Sequence, residues 1–217
     1  MTDCCNPRGC DSFFGDRFAG RAAKRYRKRG LDKNALRMVT FLEQRGIRDA
    51  TVLEIGGGIG EIQIELLTHG ASHTVNLELS PHYDDDARTL LREHGLENRV
   101  ERRLCDIAVN PDDVQPADVI ILHRVVCCYP DYAPLLTAVA AHARRLVVFS
   151  YPPRNVLARV AIGFANFRLK LRRSEFRVFA HPPEALLTTL EQRGLCPTYS
   201  HHGLAWNIAG LERATDT

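Results

Sequence analysis

The stretch Thr51-Val52-Leu53-Glu54-Ile55-Gly56-Gly57-Gly58-Ile59-Gly60 decides how this chain folds. An apolar run of this length suits a parallel strand covered on both faces. Gly56, Gly58 and Gly60 then allow a tight turn where backbone can approach a ligand that any Cβ would strike. Their spacing selects the ligand. A dinucleotide loop needs G-x-G-x-x-G, so that pyrophosphate rests on a free helix N-terminus. Here the third glycine's position holds Glu61. A carboxylate in the first helical turn repels pyrophosphate and suits a ligand that carries a cation. Glu54, an acid inside an apolar strand, needs a partner to justify its burial. A dinucleotide site, or a glycine turn that holds nothing, stays open as an alternative.

Elements follow outward from this turn. Residues 1–12 are expected to be a polar arm. A basic helix runs from Ser12, as N-cap, to Arg29, and a second covers 32–45 behind the N-cap Asp32, ending at Gly46. Strands are expected at 51–55, 73–79, 99–105, 118–123 and 145–151. Helices at 60–69, 82–94 and 132–143 alternate with them, and a weak one falls near Asn110-Pro111-Asp112. Such alternation is the pattern of a doubly wound α/β sheet. After Pro152-Pro153 come an insert at 154–180, a helix at 183–193, and a closing hairpin of 198–202, a turn at Gly203, and 204–211. The division is therefore an N-terminal cap, 1–47, and a core domain, 48–217, that carries the insert as a lid.

The chain has 217 residues, 45% of them hydrophobic and 25% charged, with a net charge of +3. These values suit one α/β domain with a full core, and that charge does not by itself imply a nucleic-acid partner. No apolar run is long enough to span a bilayer. Seven cysteines and no evident export signal lead to an expectation of reduced thiols and a cytoplasmic protein.

Residues 51–60 resemble motif I of the class I S-adenosylmethionine (SAM)-dependent methyltransferases, a likeness that extends over about residues 48–212. SAM carries a sulfonium and an ammonium and no phosphate. The resemblance implies a seven-stranded sheet in the order 3-2-1-4-5-7-6, its last strand antiparallel. It also implies that Glu54 helps hold the methionine ammonium at the turn of Gly56, Gly58 and Gly60. Glu78, at the end of the second strand, would accept from both ribose hydroxyls, with Leu79 against adenine. Asp106 would accept from the adenine amino group, and the Ile107 amide would meet a ring nitrogen. The backbone of Leu122 and the side chain of His123 would lie nearest the departing methyl.

The acceptor side is expected along His123-Arg124-Val125-Val126-Cys127-Cys128-Tyr129-Pro130-Asp131, a polar cluster where the fold needs none. His123 is the first candidate for a general base, with Tyr129 and His181 next. The stretch also resembles the Mg-protoporphyrin O-methyltransferases, which carry His-Tyr-Pro after strand four and a tyrosine in an N-terminal helix. Here the tripeptide is Cys128-Tyr129-Pro130, and the helix offers Tyr26. That resemblance implies a carboxylate on a large, flat, hydrophobic acceptor, and a catalytic part for Tyr129 and Tyr26. The Asp/Asn-Pro-Pro-aromatic motif of base-amino methyltransferases is lacking after strand four; Tyr151-Pro152-Pro153 follows strand five.

Seven Lys or Arg and no acid lie between Arg17 and Arg29, and six more basic residues are mixed with apolar ones between Arg159 and Arg177. Such mixing suits a lid, or a surface that lies on anionic lipid. An acidic substrate or RNA would also suit it. Cys4, Cys5, Cys10, Cys127 and Cys128 invite a soft-metal or thiol reading, but their spacing is no closed zinc pattern, and no metal site is expected. Three functions follow. The first is a SAM-dependent methyltransferase that acts on oxygen of a small aromatic or lipophilic acceptor. The second is an RNA methyltransferase docking through its basic helix, and the third a non-catalytic SAM-binding or thiol-based regulator.

Overall fold

The computed structural model describes residue 9 and residues 13–214. Strand β1 (Thr51–Ile55) lies between β2 (His73–Glu78) and β4 (Ala117–Leu122), parallel to both. The Asp118 carboxylate fixes this register by accepting from the Thr51 amide and hydroxyl, each at 2.8 Å. With β3 (Val100–Leu104), β5 (Ala143–Tyr151), β6 (Leu195–His201) and β7 (Asn207–Arg213), the sheet has seven strands in the order β3-β2-β1-β4-β5-β7-β6. β7 runs antiparallel to both β5 and β6. This is the doubly wound sheet expected from the sequence.

Alternate residues of the central strands go to opposite faces. Val52, Val119, Ile121, Leu146 and Val148 join one core, packed by α1 (Asp16–Arg29), α2 (Lys33–Gln44), α3 (Glu61–Thr68) and α4 (Asp84–Glu93). Leu53, Ile120, Leu122, Val147 and Phe149 join the other, under α5 (Tyr132–His142) and α7 (Pro183–Glu191). Burial on both faces is why these strands read as unbroken apolar runs.

Four details depart from expectation. α1 starts at Asp16 after Gly15, which offers no side-chain cap, and Ser12 lies outside the described residues. The weak helix near residue 111 is a three-residue 3₁₀ turn, Pro111–Asp113. β6 begins at Leu195, because Pro197 shifts the pairing register without ending the strand. Leu204, expected to open the last strand, is fully exposed in a loop. Within the insert, α6 (Val156–Leu171) is one continuous helix that buries none of its residues.

Candidate active site

The carboxyl ends of β1 to β4 open into a cavity of about 430 Å³, in the size range of small-molecule sites. Its floor is the glycine turn. Gly56, Gly58 and Gly60 have φ of 63°, 56° and 81°, where a β-branched residue would be strained. Gly57 is required for another reason: a Cβ there would lie 2.7 Å from Asn76 Nδ2 and 2.8 Å from Glu54 Oε2. The turn is fixed from both sides. The Gly58 amide donates to Glu78 Oε1 (2.5 Å), and Arg102 of β3 donates to the Gly58 carbonyl (3.0 Å) and to Asp84 (3.0 Å).

Three glutamates share this floor, and all line the cavity. Glu54 is buried, and its Oε2 has no hydrogen-bond partner among the described residues. Burial pushes its carboxyl well above the usual range; repulsion from Glu61 and Glu78 adds to this, and Arg102 opposes it. Burial likewise raises Glu61, against His123 and Arg25, and raises Glu78, against the amides of Gly58 and Leu79. An orphaned buried carboxylate oxygen beside two further acids lacks positive charge. A ligand bearing an ammonium and a sulfonium supplies it, whereas a pyrophosphate would add repulsion.

Most of the expected cofactor residues meet here. Glu54, Gly56, Gly58, Glu78, Leu79, Asp106, Ile107 and His123 line the one cavity. Gly60 and Leu122 lie just behind it. Gly60 is the left-handed N-cap that turns the chain into α3, and the Leu122 side chain is buried in the core beneath α5. Asp106 is buried at the end of β3, where Oδ1 accepts from the Ala108 amide (3.0 Å).

The two expected catalytic tyrosines are placed differently. Tyr129 lines the cavity, but its hydroxyl donates to Asp106 Oδ2. The tyrosine follows the 3₁₀ turn Val126–Cys128, and its hydroxyl reaches the acid just beyond β3. Tyr26 lies outside the cavity: its hydroxyl donates to Glu65 Oε1 at 3.0 Å. Burial and the Glu65 carboxylate push its pKa far up. Helical spacing explains the misplacement. Ala19, Ala23 and Tyr26 form the buried stripe of α1, while Phe18, Arg21, Ala22 and Arg25 form the stripe that closes the cavity, joined by Phe14. His181 is also outside, its Nε2 at 2.8 Å from the Tyr129 carbonyl.

The end of β4 carries a polar group that the sequence showed only in part. His123 Nδ1 is 3.2 Å from Ser150 Oγ, and Nε2 is 3.7 Å from Asp32 Oδ2. Asp32 works on both sides. Its Oδ1 caps α2 through the Asn34 (2.9 Å) and Ala35 (3.1 Å) amides, as expected of an N-cap, while Oδ2 accepts from Arg124 at 2.7 Å. Burial alone would raise Asp32, but His123, the Ala35 amide and Arg124 outweigh it and hold the carboxyl far below its usual range. Arg124 adopts φ of 62°, a left-handed conformation uncommon outside glycine and often found where function demands it.

Cys128 lines the cavity with Cys127 buried behind it, the two sulfurs 3.7 Å apart. Contact with Cys128 lowers the Cys127 thiol pKa against the effect of burial. Cys4, Cys5 and Cys10 lie outside the described residues. Among the described residues no three His, Cys, Asp or Glu side chains are grouped to hold a metal ion.

Comparison with known proteins establishes the fold and the family. The magnesium protoporphyrin IX methyltransferase of Synechocystis PCC 6803, with bound SAH, superposes with a TM-score of 0.72 at 16% identity, over 94% of this chain and 99% of that one. An O-methyltransferase family protein from Burkholderia thailandensis gives 0.68 at 18% identity, over 94% and 64%. An RNA methyltransferase described as putative, from Pyrococcus horikoshii, gives 0.59 at 12%, over 85% and 83%. No curated protein sequence matches the chain significantly. Residues 23–206 match the family described as a methyltransferase domain. With most of its length inside that match, the chain belongs to the methyltransferase-domain family, whose methyl donor is S-adenosylmethionine.

Proposed function

We propose that this protein methylates an oxygen of a small aromatic or lipophilic acceptor. The observation that carries this reading is the make-up of one cavity. Its floor presents acids on successive strand ends, and its roof presents Phe18 and Arg21 from α1 with Phe14 from the segment before it. The floor suits a cationic nucleoside: Glu54 faces the ammonium, Glu78 the ribose hydroxyls, and Asp106 with Ile107 the adenine edge, beside Leu79. S-adenosylmethionine supplies the methyl group and departs as a neutral thioether.

The roof suits a flat apolar molecule that bears an anionic or acidic group, with Arg21 as the counter-charge. His123 accepts the proton of a hydroxyl acceptor, and Asp32, 3.7 Å from Nε2, stabilises the resulting imidazolium. A carboxylate acceptor is already ionised and needs positioning only. The RNA reading is less well supported, because the basic helix is partly used internally. Arg27 pairs with Glu93 at 2.9 Å, Arg25 approaches Glu61 at 3.4 Å, and Arg21 and Arg25 both face the cavity.

Incubating the protein with tritiated S-adenosylmethionine and fractionated cell extract tests the proposal. Label is expected in an organic-soluble small molecule, with release by mild alkali marking a methyl ester and retention marking an ether. Label found in RNA or protein would contradict the reading.

A further inference from the structure

In α6 six large apolar side chains face outward. Val156, Leu157, Val160, Phe164, Phe167 and Leu171 are each between 57% and 78% exposed. At ~100° per residue these six fall within a single arc of roughly 100° on the helix. The side facing the protein carries only half-buried residues, among them Ala158, Ile162 and Leu169. The stripe therefore forms one continuous apolar ridge and is no scatter of single exposed residues, which would need no explanation.

Charge borders the ridge. Arg159 and Lys170 flank it on one side and Arg168 on the other, where its guanidinium lies 5.8 Å from the centre of the Phe164 ring. Arg154, Arg172 and Arg173 stand at the two ends, and residues 154–173 contain no acid. A partner protein with an apolar groove would complement the ridge but would not require basic residues all round it. A second copy of this helix would bring six like charges against six. An anionic, apolar-cored sheet of lipid complements both features at once.

We infer that α6 docks on the surface of an anionic lipid bilayer, with its apolar ridge among the acyl chains and its Arg and Lys residues at the headgroups. The contact is peripheral: among the described residues no helix is long and apolar enough to cross a membrane. The segment that follows ties this ridge to the cavity. Asn166 of α6 bonds the Val178 backbone in both directions, at 2.8 and 2.9 Å. The Phe179 amide donates to the Cys127 carbonyl at 2.7 Å. Phe176 stacks on Phe13 (4.3 Å between centres) and meets Phe14 edge-on (5.3 Å), and Phe14 lines the cavity. The docked helix is thus joined, through the segment after it, to Phe14 of the cavity lining, although the docking itself does not depend on what is methylated.

Co-sedimentation with vesicles tests the inference, using phosphatidylcholine alone and phosphatidylcholine with about 30% phosphatidylglycerol. The full-length protein is expected to sediment with the anionic vesicles only, less so as salt rises. Phe164→Asp with Leu157→Asp should lower the partition coefficient by about tenfold or more, and Arg159→Glu with Lys170→Glu should lower it by several-fold. Calorimetric affinity for S-adenosylmethionine should be unchanged in all four substitutions, which shows that the fold is intact. Equal sedimentation with neutral vesicles, no sedimentation with either, or no effect of the substitutions would overturn the inference. So would a dimer in sedimentation velocity that Phe164→Asp dissolves, since the ridge would then belong to a second copy of the chain.

Discussion

The floor and the roof of the cavity are built from different material. The floor consists of strand ends and the turn between β1 and α3. Its functional groups are acids at strand ends, Glu78 and Asp106 held by backbone amides and the turn beside them by Arg102, so their positions follow from the register of the sheet. The roof is a helix that reaches the cavity through one stripe, Phe18, Arg21, Ala22 and Arg25, and is tied to the core through another. Positions set by a hydrogen-bonded sheet are rigid and suit a ligand that never changes. Positions set by a helix laid over the sheet can be altered without disturbing the floor, as a variable acceptor demands.

If floor and roof are separate in this way, substitutions in one should leave the other's ligand untouched. The largest effect is expected at Glu54. Glu54→Gln should weaken S-adenosylmethionine binding by about a hundredfold, near 3 kcal/mol, since the cation loses its buried partner. The same change should raise the melting temperature of the ligand-free protein, because it removes a buried carboxylate whose Oε2 has no partner among the described residues. Calorimetry of binding and of unfolding measures the two effects, and a fall in both would deny that Glu54 exists for a ligand. Next in size, Glu78→Ala and Asp106→Ala should each cost about 1–3 kcal/mol of donor affinity.

A smaller effect lies in pH. Glu54, Glu61 and Glu78 are raised in the folded, ligand-free protein, so folding binds protons there more tightly than the unfolded chain does. Their contribution to stability is fullest below the unfolded value of about 4.3 and is lost as pH rises through the folded values. Donor affinity should run the opposite way, rising over that window as the acids ionise, with protons released on binding. Titrations in buffers of different ionisation enthalpy would show this release. Asp32 lies outside the window: it is lowered, so its stabilisation fades only as pH falls below about 3.9. The smallest effect on the donor is expected in the roof. Phe18→Ala and Arg21→Ala should raise the acceptor KM several-fold while leaving donor affinity within about twofold.

How much of this could be read from residues alone follows the same division. β1 with its glycines, the strand ends Glu78 and Asp106, and the closing antiparallel strand all obey local rules of period and turn chemistry. Asp32 could be recognised as an N-cap from its neighbours. Its second partner, Arg124, stands 92 positions away in sequence, and no local pattern carries that pairing. Gly57 has no local signal of its own, since the groups that crowd it, Asn76 and Glu54, meet there only in the folded sheet. Tyr26 is expected in the site only through a family resemblance, which marks a tyrosine on the helix but not the face it takes. Which stripe of that helix meets the core is settled only by packing against Glu65 and the sheet.

The central claim, that the floor recognises positive charge on a nucleoside, is tested most directly by titrating wild type and Glu54→Gln with two thioethers. S-adenosylhomocysteine keeps the amino-acid ammonium, and 5′-methylthioadenosine lacks it. Wild type should bind the first at least about thirtyfold more tightly, and the substitution should abolish most of that preference by weakening the first ligand alone. Equal affinities in wild type, or a substitution that weakens both ligands alike, would contradict the account.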